Sequence, residues 1–148
     1  MVEVSYSKGR IIGLLLVVDF IITFAILFTD KNLQIDFGFA KPYFIHWYGM
    51  LVTGIIDIIG AVIIIANPTR VYQKAGTIGS ALMAVFLVAD IATYKMVGLT
   101  SASQFATYLF GFSRYPGVKP YIPGLYDVLF IFYVITAITG MWVLRNSS

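Results

Sequence analysis

The sequence predicts an all-α integral membrane protein, a four-helix bundle, and three observations predict it. The 148 residues are 59% hydrophobic and only 11% charged, far from the balance of a soluble globular domain. Apolar runs cover 11–28, 50–66, 81–98 and 128–144. Each is long enough, at about 1.5 Å per residue, to cross most or all of a hydrocarbon core of about 30 Å. Gly, Pro and charge cluster between the runs, where helices should break.

The first helix, about 10–29, follows Lys8 and Arg10. A basic start before an apolar run imitates a signal peptide. The run exceeds a signal h-region, however, and Phe28-Thr29-Asp30 has no small-x-small cleavage pattern, so it reads as an uncleaved first span. The second helix, about 45–66, follows a loop at 29–42, and the third, about 75–98, follows 67–74. That short connection predicts a tight hairpin of helices two and three. The fourth helix, about 124–145, closes a single transmembrane domain spanning 1–148.

Four spans put both termini on the side of the 67–74 turn. Lys8, Arg10, Arg70, Lys74 and Arg145 lie there against Glu3, while Lys31, Lys41, Arg114 and Lys119 are diluted over the longer opposite loops. The positive-inside rule then places both termini in the cytoplasm, and the expected location is the plasma membrane. The formal charge of +3 forms no basic run, so it argues for topology and not for nucleic acid.

The outward loops are aromatic, with six rings in 37–48 and six more in 105–121. Such rings suit the headgroup region. Residues 101–109 suit a short interfacial helix capped by Ser101 or Ser103, before Gly111, Pro116, Pro120 and Pro123 enforce irregular chain. The rival use is a docking surface for other membrane subunits.

The halves also echo each other. LLVVDF at 15–20 resembles FLVADI at 86–91; Phe37-Gly38-Phe39 recurs as Phe110-Gly111-Phe112, and Lys41-Pro42-Tyr43 as Lys119-Pro120-Tyr121. This order predicts two tandem helical hairpins, parallel in the membrane.

Three carboxylates, Asp19, Asp57 and Asp90, lie inside apolar runs. An ionised carboxylate at that depth costs roughly 2.5–3.5 kcal/mol, so each should face protein, a polar cavity or a proton. Gly49, Thr53, Asp57 and Ala61 form a small-residue stripe that turns Asp57 toward a neighbouring helix. Thr23 lies one turn beyond Asp19, and Tyr94 and Lys95 follow Asp90. Any two of the carboxylates, if brought together, would share a proton. The same residues also admit a purely structural role as hydrogen-bonded side chains.

At the outer ends of helices two and four, His46, Tyr48, Tyr126 and Asp127 reach one level, with Tyr94 nearby on helix three. A quinone would find donors and ring contact there; an aromatic belt with a capping Asp is the simpler alternative. Tyr133, Thr136 and Gly140 continue a mildly polar face of helix four. With one His and no Cys, the chain by itself can neither ligate haem on both faces nor hold an iron–sulfur cluster or a His-based copper site. The expectation is therefore no cofactor held by this chain alone, and no metal, with a quinone as the one candidate.

Residues 54–94, with Gly54, Asp57 and Gly60 opening an apolar helix, Arg70 in a short turn and a returning run from Ala81, resemble the central hairpin of the DoxX-like membrane proteins. Arg10 and Gly13 fit that family's first helix, whereas its usual acidic residue is Glu where this chain has Asp57. The resemblance implies a four-helix membrane fold and, for the DoxD-like branch, a link to quinone-coupled sulfur oxidation beside a terminal oxidase.

Two functions follow as expectations. The first is a small, mainly structural subunit of a larger membrane redox complex, contributing to a quinone pocket. The second is a proton- or ion-coupled carrier using the intramembrane Asp residues, small enough to need a homo-oligomer. An autonomous oxidoreductase fares worst, because no electron carrier can be assigned.

Overall fold

The computed structural model describes residues 2–29, 44–95 and 125–146, with side chains for 8–28, 47–88 and 128–146. These residues form four helices: α1 (Val2–Thr29), α2 (Phe44–Ala66), α3 (Arg70–Lys95) and α4 (Leu125–Asn146). Each contains a stretch long and apolar enough to cross a membrane, at Lys8–Phe28, Trp47–Ala66, Arg70–Val88 and Val128–Asn146. The chain is thus a multi-pass membrane protein of the lipid bilayer. The expected interfacial helix, the aromatic loops and the loop copies of the repeat lie outside the described residues.

Two helices start earlier than their apolar runs suggest. α1 is already helical at Val2, and α3 starts at Arg70, leaving only 67–69 as the connection. The backbone explains the second case. Asn67 N–H still donates to the Ile63 carbonyl at 2.8 Å, but Pro68 has no N–H with which to continue α2. Thr69 N–H donates to the Asn67 carbonyl at 2.7 Å, and the Thr69 carbonyl accepts from Gln73 N–H at 3.0 Å. That last bond is the first turn of α3, and Gln73 Nε2 secures it by donating to the Pro68 carbonyl at 2.6 Å.

The short turn does not make α2 and α3 close partners. α1 packs mainly along α2 and then α4, and α3 packs mainly along α4; α2 and α3 touch much less. Close packing falls where a side chain is missing. A Cβ on Gly54 of α2 would meet the Phe24 ring at 2.8 Å, and one on Gly140 of α4 would overlap Thr77 of α3. The Gly49 end of the expected stripe makes no such approach, with nothing among the described residues within 4 Å of a Cβ, although Asp57 and Ala61 are buried. At the turn end, Lys8 Nζ stands 5.5 Å from the centroid of the Trp142 ring, a cation–π contact joining α1 to α4.

The interior has two apolar clusters. Ile12, Leu16, Ala61, Ile64 and Val143 pack near the turn end. Ile26, Leu27, Met50, Ala84, Leu87, Leu129 and Tyr133 pack toward the other. Between these clusters α1, α2 and α4 bury the polar side chains of Asp19, Thr23, Asp57 and Thr136. Outward, Ile56, Val62, Leu82, Val85 and Ile138 are exposed, as suits helices solvated by lipid.

Candidate functional site

The polar layer draws on three helices. α1 supplies Asp19 and Thr23, one turn apart and so on one face. α2 supplies Asp57, and α4 supplies Tyr133 and Thr136, three residues apart. All five side chains are buried, and Asp19, Asp57 and Thr136 fall near the middle of their spans. Five oxygen-bearing side chains at mid-depth are costly in a bilayer unless they satisfy one another.

They do so in part. The Tyr133 hydroxyl donates to Asp57 Oδ2 at 2.5 Å, linking α4 to α2. Thr136 Oγ1 lies 2.9 Å from Asp19 Oδ2, linking α4 to α1, and also 2.9 Å from the Phe132 carbonyl. A hydroxyl has one hydrogen, so it donates to one of these at a time. Donating to Asp19, it supports a carboxylate; donating to Phe132, it can accept from a protonated Asp19. Rotation of one hydroxyl thus serves either protonation state.

Among the described residues, two buried side-chain oxygens lack a hydrogen-bond partner. Asp19 Oδ1 and Thr23 Oγ1 are buried and make no hydrogen bond, although the Thr23 hydroxyl stands beside that of Tyr133. The carboxylates of Asp19 and Asp57 lie close enough to repel when both are ionised. Among the described residues no cationic side chain pairs with either. Nor do three or more His, Asp or Glu side chains converge as a metal site there, so the centre offers oxygens only, from two carboxylates and three hydroxyls.

Of the residues singled out in the sequence, the structure unites Asp19 and Asp57. Asp90 is on α3, His46 near the start of α2, Tyr94 near the end of α3, and Tyr126 and Asp127 in the first turn of α4; their side chains lie outside the described residues. Tyr48 is half-buried, its ring 5.2 Å from that of Trp47. The hydroxyls that complete the centre, Tyr133, Thr136 and Thr23, carried only a weak signal. They are isolated polar residues inside apolar runs, spaced by three or four. No protein-family model, curated protein or solved structure matches this chain, so the DoxX-like resemblance stands on its residues alone and the function must be argued from the chemistry of the centre.

Proposed function

We propose that this protein is a proton- or ion-coupled membrane carrier whose working groups are Asp19 and Asp57. The observation that carries the reading is the burial of these carboxylates together at mid-depth, hydrogen-bonded to hydroxyls of a third helix and with no cationic partner among the described residues. Ionisable groups so placed typically mark ion pathways and proton relays. The Thr136 hydroxyl gives Asp19 a partner in both protonation states, which a group that must load and unload a cation requires. The sparing contact between α2 and α3 supplies a seam at which the helices can part.

In this reading the four helices form a bundle of two tandem hairpins, with both termini cytoplasmic in the plasma membrane, working as a homo-oligomer. The reading as a subunit of a quinone-linked redox complex rests on His46, Tyr48, Tyr94, Tyr126, Asp127 and the aromatic loops, and the buried centre lends it nothing.

The test is flux in proteoliposomes, with a trapped pH-sensitive dye and an imposed proton or sodium gradient. Asp19→Asn and Asp57→Asn should reduce flux to the level of empty liposomes while the proteins still assemble. Full flux in both folded variants would overturn the proposal.

A further inference from the structure

We infer that the centre binds a sodium-sized monovalent cation between Asp19 Oδ1 and Thr23 Oγ1; the inference rests on the carrier reading and names the ion that is carried. Both atoms belong to side chains with 0% exposure, and neither has a hydrogen-bond partner. They sit on one face of α1, a turn apart. A ligand held between them would bind two oxygens of one helix face at once.

The chemistry selects among bridging ligands. A proton on Asp19 Oδ1 would neutralise the carboxyl but bring Thr23 Oγ1, beside the Tyr133 hydroxyl, no new partner. A water would bridge the pair but leave the carboxylate charge uncompensated, and no cationic side chain among the described residues offsets it. A monovalent cation does both, and its complex with Asp19 is neutral, the least costly form in a low-dielectric interior. A divalent ion carries a larger dehydration cost and demands more oxygen ligands, whereas Asp57 already accepts from Tyr133. A donor set of carboxylate and hydroxyl oxygens suits hard cations. With the cation bound, Thr136 donates to Asp19 Oδ2 and holds the carboxylate in place. The titratable groups facing Asp19 are Asp57 from α2 and Tyr133 from α4; on α3 the described ones, Arg70, Tyr72 and Lys74, are exposed at the turn end.

The experiment has two readouts on the full chain. The first is the thermal unfolding midpoint in detergent, titrated with sodium chloride against choline chloride. The second is uptake of radioactive sodium by proteoliposomes. The wild type should show a saturable rise with sodium only, together with uptake. Thr23→Val should weaken apparent sodium affinity by at least about tenfold, Asp19→Asn should abolish it, and Thr23→Ser, which keeps the oxygen, should retain it. Retained affinity in folded Thr23→Val would overturn the inference. So would a wild type that moves protons yet neither binds nor moves sodium, and that result would leave the carrier reading standing. Saturable sodium binding without flux of any ion would support the site and sink the carrier.

Discussion

Two sets of buried polar side chains share these four helices, and they meet their hydrogen-bonding needs differently. On α3, Thr77 donates to the Gln73 carbonyl at 2.7 Å, Ser80 to the Gly76 carbonyl at 3.0 Å, and Gln73 to the Pro68 carbonyl beside it in the chain. Each is satisfied within five residues, so α3 presents a closed surface to its neighbours. In the α1, α2 and α4 centre, the bonds of Asp19 and Asp57 span 117 and 76 residues of chain, and two oxygens remain unpartnered. Local bonding makes α3 a packing element; bonding across helices makes the centre depend on how those helices stand. A carrier needs the second kind of group, because only groups held between helices sense helix motion.

The largest contrast between the two sets is functional. Asp19→Asn or Asp57→Asn should remove coupled flux entirely, while Thr77→Val and Ser80→Ala should keep at least about half of it, changes at such locally bonded sites being small. Next comes Tyr133→Phe, which deletes the donor to Asp57 and leaves a buried carboxyl oxygen unpartnered. A loss of about 1–3 kcal/mol is expected, measured by unfolding in mixed micelles. An unchanged stability would mean that Asp57 finds another partner and that the cross-helix bond is dispensable.

Much of this architecture is legible in the sequence, for reasons specific to membranes. Four spans are readable because backbone groups in lipid must be satisfied within a helix, which forces long apolar runs. That Asp19 and Asp57 belong to one buried layer agrees with their similar depth on neighbouring helices. The hydroxyls of Tyr133 and Thr136 were visible only as a mildly polar face, because an isolated Tyr or Thr in an apolar run does not announce which helix it bonds. The start of α3 was hidden because Gln73 and Lys74 look like loop, when Gln73 in fact buttresses the turn. Chain proximity also misdirects the packing, since the short 67–74 connection suggests an α2–α3 pair, whereas the small residue against which α3 packs is Gly140 on α4.

Gly140→Ala probes the packing of α3 against α4. The added methyl group would overlap Thr77, so α3 and α4 must separate or Thr77 must abandon its bond to Gln73. Overpacking of this kind costs about 1–3 kcal/mol. Combining it with Thr77→Ala should recover most of the loss, which a double-mutant cycle reads directly. Gly49→Ala, with nothing within 4 Å to meet, serves as the neutral control.

The smallest expected effects lie in single hydroxyls. Thr136→Val removes the hydroxyl that bonds Asp19 Oδ2, while Ser80→Ala removes a bond to the carbonyl of its own helix. Side-chain hydrogen bonds between membrane helices average about 0.6 kcal/mol and reach about 1.7 kcal/mol, so Thr136→Val belongs toward the upper figure. The Gly76 carbonyl freed by Ser80→Ala still has its place in the α3 ladder, so that loss belongs below the average. Equal losses in the two variants would remove the distinction between local and cross-helix bonding. A larger loss in Thr136→Val, accompanied by altered ion dependence of flux, would tie the energetics of the centre to the proposed transport, because of these two hydroxyls only that of Thr136 touches a carboxylate of the centre.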